Sequence, residues 1–123
     1  MLVRNTPQDV YRRVEFDARV GGSDQRQLVT LCYEQLIAAL GTALSAATRG
    51  DNHAKSKAIT RALSALTALQ LGVSGDTEVA WALRHLYEAT RRSLLDNVLS
   101  FDTGVIGEMR QDYQDILRAM SAA

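Results

Sequence analysis

Apolar residues recur at steps of three and four along most of this chain, with polar residues between them, a rhythm that predicts helices. Glycine-bearing breaks divide it into four long segments. The first opens at Ser23 or Asp24, either of which can accept hydrogen bonds from the free amides of a first turn, and ends near Arg49 and Gly50. The second runs from about Asp51 to Leu71, where Gly72 and Gly75 supply a stop. The third starts at Asp76 or Thr77 and ends near Ser100; Asp102 caps the fourth, which continues to about Met120. The only proline, Pro7, stands near the start. The expected fold is all-α: one domain over residues 1–123, with an antiparallel four-helix bundle at 23–123 behind an N-terminal cap segment at 1–22, helical or extended.

The apolar faces differ in width. Val105, Ile106, Met109, Tyr113, Ile116, Leu117 and Met120 on the fourth segment fit one stripe roughly 120° wide at about 100° per residue. Ala58, Ile59, Ala62, Leu63, Leu66 and Leu69 draw a similar stripe on the second, whose alanines permit close helix approach. On the first segment, Leu28, Leu31, Cys32, Tyr33, Leu36, Ile37, Leu40 and Leu44 spread over roughly 240°. The third is broad as well, with Val79, Leu83, Leu86, Tyr87, Leu94, Leu95, Val98 and Leu99. A helix apolar around most of its circumference is either surrounded by other helices or holds a surface for a partner, and periodicity alone does not separate the two. Before the bundle, Val10, Tyr11, Val14 and Phe16 form a brief apolar face on a stretch too short to be a stable helix alone.

Charge narrows the partners. The 14 basic and 14 acidic side chains cancel, so no field of one sign draws the chain to nucleic acid or an anionic membrane. The single cysteine, Cys32, allows no intramolecular disulfide and no cysteine-based zinc site, which fits a reducing compartment. The N-terminus lacks the uninterrupted apolar run of a secretory signal, and no stretch is expected to reach the roughly 20 apolar residues that span a bilayer. A cytoplasmic protein without stable membrane insertion is the expectation.

Convergent polar groups of the kind catalysis requires are scarce. His53 and His85 are far apart and lack a carboxylate at ligand spacing, which favours solvated surface histidines over a metal site. The glycines form neither a dinucleotide fingerprint nor a phosphate-cradling loop. Cys32, between Leu31 and Tyr33, reads as a buried, inert thiol; Asp112 and Asp115 read as the acidic rim of an exposed helix. No catalytic residue, metal or cofactor is expected. Tyr33, Tyr87 and Tyr113 lie on apolar faces with hydroxyls that need polar partners, at the core boundary or in a partner site. Tyr11 differs, because a weakly anchored segment is a poor place for a purely structural aromatic.

The order of short motifs adds a resemblance. Val10 and Tyr11; Ser23, then Leu28 to Tyr33 and Glu34; Ile59, Arg61 and Ala62; and Leu86, Tyr87, Glu88, Arg91, Arg92, Leu94 and Asn97 together resemble the FliS family of flagellin-export chaperones. Four positions depart from the family pattern. Gln35 stands for the usual glycine, Glu88 for the aspartate, Ala89 for the second tyrosine of the third-helix motif, and Met120 for a tryptophan often found near the C-terminus. The resemblance implies a cytosolic helical bundle that binds the C-terminal segment of newly made flagellin, prevents premature polymerisation and assists export by the flagellar type III secretion system. Further implied partners are a flagellar export-gate component or an anti-sigma factor. The residues expected to bind the partner are Val10, Tyr11, Val14, Tyr33, Ile37, Leu40, Leu44, Tyr87 and Leu95, with the segment around Tyr11 covering the groove until a client displaces it. A regulatory adaptor, or a self-associating bundle without a flagellin client, is the alternative.

Overall fold

A computed structural model of the chain describes residues 22–122. Helices α1 (Gly22–Arg49), α2 (Asn52–Leu71), α3 (Glu78–Leu99) and α4 (Thr103–Ala122) form an all-α four-helix bundle, with no strand among the described residues. The chain divides into two compact units, residues 1–31 and 32–123. Of the first, the described part is the opening of α1. The second holds the bundle. The expected cap segment, including Val10, Tyr11 and Val14, lies outside the described residues apart from Gly22.

Local chemistry sets the helix ends where the sequence places them, to within a residue or two. The Asp51 carboxylate accepts from the Ala54 amide at 3.0 Å and starts α2; the Thr77 hydroxyl accepts from the Ala80 amide at 3.1 Å and starts α3. Asp102 Oδ1 accepts from the amides of Gly104 (2.9 Å) and Val105 (3.1 Å) at the head of α4. Gly50 ends α1 in the left-handed region, at φ 74°, which a side chain would strain. The stop after α2 differs from the expected left-handed glycine cap. Gly72 stays right-handed (φ −83°, ψ −9°) with its amide on the last-turn carbonyls, and the left-handed turn comes at Gly75, φ 85°.

Contacts between helices fix an antiparallel arrangement. Ala43 of α1 clusters with Ala58 and Ile59 of α2, while Gln35, Ala38 and Ala39 lie across from Arg61 and Ser64, so the two helices run in opposite directions. Tyr33 meets Tyr113 of α4 at 5.4 Å between ring centroids, and the Ile37 carbonyl accepts from Arg110 Nε at 3.3 Å, again with opposite polarity. Gly41 permits that second approach: a Cβ there would stand 3.1 Å from Arg110 Nε. Arg91 of α3 ties α2 through Gln70 Oε1 (2.9 Å from Nε) and Thr67 Oγ1 (2.6 Å from Nη2). Phe101, in the α3–α4 connection, closes one end of the bundle against the Ala43, Ala58 and Ile59 cluster, with Lys55 Nζ 5.1 Å from its ring centroid.

The core is filled by Tyr33, Leu36, Leu40, Leu66, Leu94, Ile106 and Tyr113, all under 2% exposed. At about 25 cal/mol per Å² of apolar area removed from water, this burial supplies the main drive for folding. One sequence expectation is corrected. Gln25–Arg49 of α1 is long and apolar enough to cross a membrane by length and composition alone. Within the bundle its apolar residues are used otherwise: Tyr33, Leu36, Ala39, Leu40, Ala43 and Ala46 are buried against the other helices.

Candidate functional site

The tyrosines expected at a core boundary or in a partner site converge inside the bundle. The hydroxyls of Tyr33 and Tyr87 are 2.8 Å apart, with the rings edge to face at 6.5 Å. Thr90 gives its proton to the Leu86 carbonyl at 2.9 Å, which leaves the Tyr113 hydroxyl, 2.7 Å away, to donate to Thr90. Each buried tyrosine hydroxyl therefore has a protein partner. Asn97, also buried, organises the next turn. Its amide donates to the Ser93 carbonyl at 2.8 Å while its oxygen accepts from the Asp102 amide at 2.6 Å.

Electrostatics move these groups away from chemistry at neutral pH. Burial pushes Tyr33, Tyr87 and the Cys32 thiol up, and Tyr113 up to about 12. Hydrogen bonds from Gln111 and Arg118 hold Asp115 below the usual carboxylate range. A general acid or base works best with its pKa near the operating pH, and each of these shifts runs the other way. His53 and His85 are exposed, the latter with its ring centroid 4.1 Å from that of Trp81 and tilted 56° to it. Among the described residues no group of three or more His, Cys, Asp or Glu is placed to hold a metal.

Two open grooves flank α1 and share Ala38. Gln35, Ala38, Ala39, Arg61 and Ser64 line the one against α2, of ≈ 340 Å³. The other, against α4, of ≈ 430 Å³, combines an apolar floor of Ile37, Ala38 and Leu117 with a polar rim of Glu34, Arg110, Gln114 and Arg118. An apolar floor with a charged rim suits an amphipathic peptide better than a compact metabolite.

A FliS family model, described as flagellar protein FliS, matches residues 7–123. The chain belongs to that family. FliS membership carries a flagellar chaperone role in general terms, and the family is not an enzymatic one. No curated protein and no solved structure gives a match. Of the motif residues behind the resemblance, Tyr87, Arg91, Leu94 and Asn97 have structural roles in this chain: a buried hydroxyl pair, the α2–α3 tie, core packing and the α3–α4 turn.

The residues expected to bind a partner are scattered by the structure. Tyr33, Leu40 and Tyr87 are core residues, at 1%, 0% and 2% exposure. Ile37 lines the α1–α4 groove, Leu44 is half-buried, and Leu95 lies half exposed on α3. Tyr33 and Tyr87 are brought together; Leu95, eight residues beyond Tyr87, points to another side of the same helix. Sequence reasoning passed over Leu117, Arg110 and Trp81. Leu117 stood only within the α4 stripe and Arg110 was not singled out, whereas Trp81, the sole tryptophan, is 63% exposed and was legible as an aromatic outside the α3 core pattern.

Proposed function

We propose that the chain is a cytoplasmic chaperone that holds the C-terminal segment of flagellin, prevents its premature polymerisation and assists its export by the flagellar secretion system. The family match over residues 7–123 carries this reading. The two grooves flanking α1 support a location for the client. An amphipathic client helix laid along them covers Ile37, Ala38 and Leu117 with its apolar face and meets Glu34, Arg110 and Arg118 with polar residues. Val10, Tyr11 and Val14 complete the client surface in this proposal, with Leu44 extending it along α1. Tyr33, Leu40 and Tyr87 act from beneath, by holding the α1 backbone in place.

Binding energy comes from apolar burial, partly offset by ordering a disordered client. Affinity therefore depends only weakly on salt. Calorimetric titration of the full chain with a peptide spanning the flagellin C-terminal segment, against a scrambled control, tests the reading. Saturable one-to-one binding of the native peptide alone is expected. Absence of heat at several temperatures, with the protein helical, rejects flagellin as the client and favours a regulator such as an anti-sigma factor.

A further inference from the structure

Trp81, His85, Glu88, Arg92, Leu95 and Leu99 are all exposed on α3, at successive steps of four, three, four, three and four. Alternating steps of four and three repeat every seven residues and draw a single seam along the helix, the pattern by which two helices interlock. The steps read the same from either end. Turned end for end, a second α3 sets Trp81 against Leu99, His85 against Leu95 and Glu88 against Arg92, and each of these contacts then occurs twice about a two-fold axis. We propose that this outward face of α3 docks a second copy of the same chain, antiparallel.

Charge selects both occupant and direction. In the antiparallel arrangement the two central layers pair Glu88 of one copy with Arg92 of the other; a parallel in-register pair sets Glu88 on Glu88 and Arg92 on Arg92, which repel. Within one chain these groups are only 3.7 Å apart and more than half exposed, so exchanging the intrahelical pair for an intermolecular one costs little. Charged layers at the centre of a seam whose ends are apolar fix register and orientation at some expense of affinity. The seam's flanks leave it open. Ala82 and Ala89 on one side are exposed and small, and on the other the Arg91 guanidinium is held by Thr67 and Gln70 of α2 rather than projecting across.

The apolar layers lie at the ends, where Leu99 is 94% and Trp81 63% exposed and Leu95 and Val98 add to the patch. From Trp81 to Leu99 the helix rises about 27 Å at 1.5 Å per residue. A seam this short falls at the low end of specific interfaces, under roughly 1,200 Å² in total, so the dimer is weak and exchanges with monomer. It uses neither groove beside α1, and self-association and client binding are therefore separable.

Sedimentation velocity of the full chain over a wide concentration range tests this. The weight-average mass should climb from monomer toward dimer. Glu88→Arg and Arg92→Glu alone each set like charges across the central layers and should hold the chain monomeric where the wild type associates; Glu88→Arg/Arg92→Glu together restore the pairing and should restore the dimer. Leu99→Lys should raise the dissociation constant roughly tenfold or more, with helical content and flagellin-peptide binding unchanged. A chain that stays monomeric throughout overturns the proposal. So does a dimer indifferent to Glu88→Arg and Leu99→Lys, and a double variant that associates no better than either single variant overturns the antiparallel register.

Discussion

Helices α1 and α3 present similarly wide apolar faces in the sequence, yet the bundle uses them differently. α1 takes neighbours on several sides: α2 at Ala43, α3 at Tyr33 and α4 at Ile37 and Gly41. Small residues make this possible, since Ala39, Ala43, Ala46 and Gly41 let helices or long side chains close on flanks that bulkier residues would hold apart. α3 buries Ala80, Tyr87, Thr90, Leu94 and Asn97 but leaves Val79, Trp81, Leu95, Val98 and Leu99 in solvent. Width therefore measures how much apolar surface a helix carries, and the number of neighbours decides whether that surface stabilises the fold or stays open for another molecule.

Matched truncations give the largest contrast. Leu40→Ala, in the α1 core, should cost about 2–5 kcal/mol in denaturant unfolding, whereas Leu99→Ala on α3 should stay within about 0.5 kcal/mol of wild type. A comparable loss at both positions would erase the distinction between the helices.

A second test removes one polar atom. Tyr33→Phe deprives the Tyr87 hydroxyl of its partner and should cost about 1–3 kcal/mol. Adding Tyr87→Phe should cost less than the sum of the single changes, because the pair is then replaced as a whole. Strict additivity would show that the two hydroxyls are not coupled.

The tyrosines also predict an alkaline transition. With folded-state pKa values raised above the ordinary value of about 10, the neutral hydroxyls leave stability intact below that pH. As pH rises further, the unfolded chain ionises first and stability falls, through about 12 for Tyr113 and beyond that for Tyr33. Thermal melts between neutral pH and pH 12 should show a plateau and then a decline, and Tyr33→Phe/Tyr87→Phe should flatten it. A melting temperature that rises with pH above 10 would contradict the buried-hydroxyl description.

The last change is Leu117→Asp, in the half-buried floor of the α1–α4 groove. It should cost about 1 kcal/mol in unfolding while abolishing most client affinity. Loss of fold in place of affinity would make that floor a core element.

Much of the architecture was legible beforehand. Asp51, Thr77, Asp102 and Gly50 punctuate the helices where side-chain chemistry requires, and the narrow stripes on α2 and α4 correspond to buried Ala58, Ile59, Ala62, Leu66, Leu69, Ile106, Met109 and Tyr113. Partner residues were less legible, because α1 periodicity does not distinguish Leu40, surrounded by neighbours, from Ile37, which reaches a groove. Tyr33 and Tyr87 suit a core boundary or a partner site alike in sequence, and only the fold brings their hydroxyls together across 54 positions. Arg110 was hidden for a related reason: its place depends on Gly41, a contact no local pattern announces.

The division of labour between the helices is tested most directly by an amide NMR titration of the full chain with the flagellin C-terminal peptide. Shifts concentrated at Ile37, Ala38, Gln114 and Leu117, with Trp81 and Leu99 unmoved, are the expected result. Shifts confined to Trp81, Leu95 and Leu99 would place the client on α3 and contradict the assignment of the α1 grooves to flagellin.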